Sequence, residues 1–292
     1  MRFREVLVCV AVAAAALVVL SGCAGTCGVK SEKVRGTTLE YKMDGGEALS
    51  YRQTSDMVQT MEVQGQSIPV QSVEALEFSV VPDGKDGGLL RLGVTVDNMS
   101  IVVSSPQGDL DTEAADVVGR GFEMTLSKLG EEGGLPDSET LVYTIESQGE
   151  RSLVPMFGVM FPDLPEHPVE VGDTWPALLT MHEDTGGAEV LLVMDAVNTV
   201  EGFEEFGGYD CVKISSVLDG TIEASGKQEG VDWTMASESE GTGVWYFAHK
   251  EGIVVSDVTD GTAHGAITVD VPGGPTEIPV TRSFTMSLEL IE

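Results

Sequence analysis

Basic residues are scarce in this sequence. Sixteen Lys and Arg stand against 48 Asp and Glu, a formal net charge of −32 over 292 residues. Phosphate binding needs clustered Lys or Arg, so nucleic acid is excluded as a partner, and anionic lipid head groups are poor electrostatic partners for the same reason. Cysteine is scarce as well. Four are too few for a disulfide framework, and with four scattered histidines they make no zinc site. His167, His182, His249 and His264 form no H-x-x-x-H or H-E-x-x-H pair, and no G-x-S-x-G elbow is present. Gly28-Val29-Lys30-Ser31 misses the phosphate-loop spacing. Long apolar runs are also lacking: the longest, Val6 to Leu20, is 15 residues and falls short of the roughly 18–20 that span a bilayer. What is present excludes disorder, because 42% hydrophobic content at regular spacing can bury a core.

That apolar run follows Arg2 and Arg4 and fits the central region of a secretory leader, with Glu5 a departure from the basic start. It ends in Leu20-Ser21-Gly22-Cys23, which resembles the bacterial lipobox at all four positions. The resemblance implies that residues 1–22 are removed and that Cys23 carries a diacylglyceryl thioether, so the protein meets the membrane through that lipid. Two or three acyl chains anchor stably where one is marginal. Residues 23–36, small and polar, read as a flexible tether. Ala24 is not Asp, so the family sorting rule favours an outer membrane if the envelope has one. The expected location is the cell envelope, on the extracytoplasmic side. Loss of the leader leaves 14 basic and 47 acidic residues, a net −33 on the exported chain. Cys27 and Cys211 then remain; the reading is a buried free Cys211, with a Cys27–Cys211 disulfide as the alternative.

Period-2 alternation dominates the rest, as in Leu76-Phe78-Val80, Leu90-Leu92-Val94-Val96, Leu141-Tyr143-Ile145, Val190-Leu192-Met194, Ile267-Val269-Val271 and Phe284-Met286-Leu288-Leu290. Turn residues separate these runs: Asp83 to Gly88, Glu131 to Gly134, Gly207-Gly208, Asp260-Gly261 and Pro272 to Pro275. Thr112 to Val118, acid-led and alanine-rich, reads as a helical turn or two. The expectation is an all-β chain: an antiparallel, strongly curved sheet or an open or half-closed β-barrel, with at most one or two short helices. Two related halves, 37–150 and 174–292, are separated by a proline-rich crossing, 151–173. The crossing carries an apolar cluster that reads as a helical turn packed on the sheet or as a flap over a cavity.

Pro168 to Trp175 (PVEVGDTW), Gly208 to Ile214 (GYDCVKI) and Gly241 to Phe247 (GTGVWYF) with Gly252 to Val255 (GIVV) supply sharper motifs. They are similar to those of a group of bacterial lipoproteins that in turn resembles the lipoprotein-localisation (LolA/LolB-like) superfamily. The resemblance covers roughly 155–292 and implies a half-closed barrel whose concave face could hold an acyl chain. It brings no catalytic residues. The alternating apolar faces line either a cavity or a solid core, and both readings stand.

Candidate lining residues for an apolar ligand are Met156, Phe157, Met160, Phe161, Trp175 and Met181. Trp175, Trp233 and Trp245 could stack on sugar, with burial the favoured reading. Asp83 to Asp86 and Asp109 to Glu113 lack the regular spacing of a calcium loop and read as solvated acids. His182-Glu183-Asp184 reads as a polar turn. No metal, cofactor or catalytic residue is assigned. The expected function is therefore a non-enzymatic anchored module that binds a lipid or other apolar ligand. The alternative is a solid scaffold presenting acidic loops to an envelope protein.

Overall fold

A computed structural model describes residues 36–43, 46–106, 108–145, 149–185, 187–228 and 230–291. The leader, Cys23, Cys27 and the tether up to residue 35 lie outside the described residues.

The alternation is realised as long antiparallel strands. β1 (Leu49–Val63), β2 (Gln66–Asp86) and β3 (Leu89–Ser105) form one wing, with the short β4 (Gly108–Glu113), β5 (Gly121–Leu126) and β6 (Glu132–Gly133) at its edge. β9 (Thr174–Thr185), β10 (Ala188–Phe206), β11 (Tyr209–Gln228), β12 (Val231–Ala248), β13 (Ile253–Val271) and β14 (Gly274–Leu290) form the other. All belong to one 12-stranded sheet, ordered β6-β5-β3-β2-β1-β14-β13-β12-β11-β10-β9 with β4 beside β3. The halves on either side of the crossing thus share one sheet, joined where β14 pairs with β1 from Met61↔Val280 to Tyr51↔Leu290. The two ends of this order do not pair, so the barrel stays open.

Each long strand buries every second side chain. In β12, Trp233, Met235, Ser237 and Ser239 face inward while Thr234, Ala236, Glu238 and Glu240 face solvent. Residues alternate across a pleated strand, so a sheet curled on one face turns this pattern into an interior and an exterior. The interior is one continuous cluster of buried apolar side chains drawn from both wings.

The crossing fills the open side. β7 (Val142–Ile145) and β8 (Gly149–Ser152) make a small hairpin after a 3-10 turn, and α1 (Val154–Phe157) is a single helical turn. From Arg151 to Pro165, 13 of 15 residues are buried although only the end of β8 and α1 are regular within the segment. Buried backbone groups need partners, and side chains supply several of them here. Phe161 N–H donates to Glu132 Oε1 at 2.8 Å, Tyr41 Oη donates to Pro162 O at 2.8 Å, and Trp175 Nε1 donates to Asp163 O at 3.1 Å. Leu164 N–H donates to Leu129 O at 2.7 Å. The segment also ties the wings together. β2 and β9 are seven places apart in the strand order, yet Phe157 packs on Phe78 of β2 while Asp163 holds Trp175 of β9.

Three local expectations are corrected. Ala115 to Gly119 is a turn with no helical element, closed by Val117 N–H to Ala114 O and Arg120 N–H to Val117 O. Asp260-Gly261 lies inside β13, where the glycine makes room for a neighbouring ring and does not turn the chain. His182-Glu183-Asp184 lies in β9, with Glu183 pointing into the interior between two outward neighbours. Val154–Phe157 supplies the expected helical turn packed on the sheet.

Candidate functional site

The six residues proposed to line a ligand cavity are all buried and all belong to the same core cluster. Phe157 packs edge-on against Phe78 and Phe122 at centroid distances of 5.3 and 4.9 Å, and Phe161 meets Tyr41 at 5.8 Å and Tyr51 at 6.2 Å. Trp175 meets Trp245 at 6.1 Å, whose Nε1 donates to Ser216 Oγ at 3.1 Å. Met156, Met160 and Met181 fill between. Beside Met160 lies a cavity of about 10 Å³, bounded also by Gln53, Asp257 and Thr259, which is room for one water molecule. Cys211 is a buried free thiol, pushed up to about 11 by burial, whose S–H points to Phe206 O at 3.7 Å. Cys27, the partner in the alternative disulfide reading, lies outside the described residues.

Charged groups inside this core were not foreseen. Burial pushes the carboxyl groups of Glu74, Asp163 and Asp257 up to about 7 and that of Glu132 up to about 8. Arg151, at the start of the buried crossing, holds Glu74 down against the larger effect of burial, while Glu183 pushes it up. The same three groups surround the Tyr143 hydroxyl. Arg282 is buried on β14, donates from Nε to Gln59 Oε1 at 2.7 Å, and is brought down to about 10 by burial. A signal for these residues existed in the sequence. Glu74 is in phase with Leu76-Phe78-Val80, Glu183 with Leu179-Met181, and Arg282 with Phe284-Met286-Leu288, so each points where its apolar neighbours point.

A wide concavity lies on the other, outward face. A groove of about 730 Å³ crosses the middle of the sheet from β2 to β11. Its floor is two rows of successive cross-strand partners: Asp56, Thr285, Asp260, Thr242 and Val217, then Val58, Ser283, Thr262, Glu240 and Asp219. Gly241 and Gly261 pair at its centre. A Cβ on Gly241 would lie 2.8 Å from Asp260 O, and one on Gly261 2.8 Å from Glu240 O, so the two strands approach closely only because both side chains are missing. Gln71 Nε2 donates to Asp56 Oδ1 at 2.9 Å and Thr285 Oγ1 to Asp260 Oδ1 at 2.5 Å, which orients two of the four groove carboxylates. No Lys or Arg is among the lining residues. A second outward groove, about 620 Å³, is lined by Glu189, Glu223 and Glu277 with Leu191, Thr234 and Thr268, again without a basic residue.

Among the described residues, no group of three or more His, Cys, Asp or Glu side chains is placed to hold a metal ion. The grooves therefore offer separated carboxylates with hydroxyl and apolar surface between them, suited to an extended ligand carrying several positive charges.

No protein-family model matches the sequence, and no curated protein matches it. Solved structures to which it is similar include OccK2 (OpdF) of Pseudomonas aeruginosa in complex with glucuronate, at 7% identity over 88% of this chain and 100% of that one, with a TM-score of 0.24. OccAB4 of Acinetobacter baumannii is 7% identical over 85% and 99% of the two chains, with a TM-score of 0.20. OmpT, an outer membrane protein of Vibrio cholerae, is 9% identical over 83% and 96%, with a TM-score of 0.17. Likenesses at these TM-scores carry no argument about function.

Proposed function

We propose that this chain is an extracytoplasmic lipoprotein of the cell envelope, anchored through lipid on Cys23, that works as a non-enzymatic interaction module. Its solid β body presents an acidic outward face to a cationic segment of an envelope partner. The observation that carries this reading is the central groove: four carboxylates, four hydroxyls and two valines, with no basic side chain, on a sheet whose inward face is filled. A basic strand or loop laid across it would gain charge complementarity along two rows of side chains, which favours encounter and register. The weaker reading, an apolar ligand inside the body, needs the space that Phe157, Phe161 and the methionines of the crossing occupy.

Binding of fluorescent oligolysine to the full chain, against an oligoglutamate control, tests the groove. The expected result is saturable, salt-sensitive binding that Asp219→Asn with Glu240→Gln weakens more than Asp109→Asn with Asp111→Asn on β4. Equal losses from both pairs would show that general acidity, and not the groove, attracts the peptide.

A further inference from the structure

The two ends of the sheet are not alike. The chain enters the fold at one of them, the near end, where Tyr41 N–H donates to Lys128 O and Lys42 N–H to Gly252 O at 2.9 and 3.2 Å. The turns at Gly87–Gly88 and Gly207–Gly208 and the start of β9 lie at this end. The turns at Gln64–Gly65 and Pro272–Gly273 lie at the far end.

Exposed apolar side chains gather at the near end. Phe203 is 44% exposed and Phe206 37%, and with Val81, Leu89 and Val171, the last at 61%, they project around its rim. Toward the far end the exposed large apolar side chains among the described residues are the strand residues Val73, Val102 and Leu191, with no aromatic ring among them. Phe206 stacks on Tyr246 at 3.9 Å with an 8° angle between rings, and Lys213 Nζ stands 5.7 Å from the Tyr246 centroid. Seven of the nine described Lys and Arg that reach solvent stand toward this end; Arg120 and Lys227 are the two that do not. Several carboxylates nearby are drawn into ion pairs, Asp83 with Arg91, Asp210 with Lys250 and Glu204 with Lys213.

We infer that the near-end rim, built on Phe203, Phe206, Tyr246 and their flanking lysines, is a second membrane contact that rests on the lipid surface. The inference rests on the reading of Cys23 as the lipid anchor. Twelve residues lie between Cys23 and Gly36, a reach of at most about 45 Å, whereas the 20 residues of β11 run about 65 Å. A body tethered that closely at one end presents that end to the bilayer first. A tyrosine with its polar hydroxyl, exposed apolar rings beside it and lysines with long apolar stems together make a surface that settles at a head-group boundary. The acidic grooves, on the outward face along the strands, are then held clear of anionic head groups.

The test uses the full chain, purified with its lipid and reconstituted in phosphatidylcholine vesicles that contain brominated phosphatidylcholine. Phe206→Trp at the near end and Gln66→Trp at the far end are compared, above the background of the buried Trp175, Trp233 and Trp245. Quenching of Phe206→Trp alone is the expected result. Equal quenching of both, or of neither, overturns the rim contact. The acyl mass on the N-terminal peptide is measured on the same sample, so that loss of the anchor reads separately: an unlipidated chain refutes the Cys23 reading whatever the tryptophans show. Phe203→Ser with Phe206→Ser should abolish protection of the Phe206–Tyr209 turn from hydrogen exchange on vesicles, while the mass stays unchanged. Protection that survives this change also overturns the contact.

Discussion

Phe284 on β14 lays its ring over the α-carbon of Gly261, its cross-strand partner on β13, and fills the place a side chain there would take. On the other side of the same glycine lies the central acidic groove. The missing side chain admits a core ring on the inward face, while the groove is floored by its outward-pointing neighbours Asp260 and Thr262. Gly261→Ala should destabilise the fold by about 1–3 kcal/mol through overpacking. Phe284→Leu in the same chain should recover part of that loss, measured by urea unfolding in a double-mutant cycle. Additive losses would show that the ring and the glycine are not coupled.

Phe157→Ala separates a packed interior from a ligand cavity. Removing a ring wedged between Phe78 and Phe122 should cost about 3–5 kcal/mol. A side chain lining an empty pocket loses far fewer contacts, so a cost below about 1 kcal/mol would favour the cavity.

Arg151 stands in the interior with Glu74 and Glu183, carboxylates from β2 and β9. Arg151→Met leaves both acids without its charge and should destabilise by about 3–5 kcal/mol. Adding Glu74→Gln and Glu183→Gln removes the stranded charges and should restore much of the stability, read from the same denaturation curves. If the triple variant is no better than Arg151→Met, the arginine acts through packing and not through charge.

Acidity should stabilise this protein. Glu74, Asp163 and Asp257 titrate near 7 in the fold and Glu132 near 8, all above the ordinary carboxylate range, because burial disfavours their charged forms. The folded chain therefore holds more protons than the unfolded one between those limits. Their contribution is fully present below the ordinary carboxylate range and is lost as pH rises through about 7 to 8. Thermal midpoints at constant ionic strength should be higher near about pH 5.5 than near about pH 8.5. Asp257→Asn, which mimics the neutral form, should flatten that dependence. A midpoint that rises with pH would contradict the shifts.

Which parts of this architecture could be read from residues alone follows from what period-2 alternation encodes. It tells one face from the other, so the long strands and the burial of Trp175, Trp233 and Trp245 were legible. It does not say which strands pair, so the meeting of β1 with β14 was hidden. It also fails where an inward position is polar: His182-Glu183-Asp184 resembles a turn because three hydrophilic residues in a row break the pattern, while the backbone continues as strand. Asp260-Gly261 misleads for the opposite reason, since a glycine that admits Phe284 has the same composition as one that bends the chain. The outward groove was illegible because its residues, Asp56, Asp219, Glu240 and Asp260, are brought together only by the register of five strands.

β14 is the last strand in the sequence, yet it lies near the middle of the sheet, between β1 and β13. Neither wing can be joined to the other until that segment is available, and β1 waits more than 200 residues for its second neighbour. Assembly therefore depends on very distant pairings, which are slow to form. Until then each wing carries an unpaired edge, and the heavy negative charge would keep those unfinished edges from joining with one another. Truncation anywhere before Gly274 would remove the keystone of the sheet and leave the two wings held together only through the crossing, where loss of an edge strand would only have shortened the sheet.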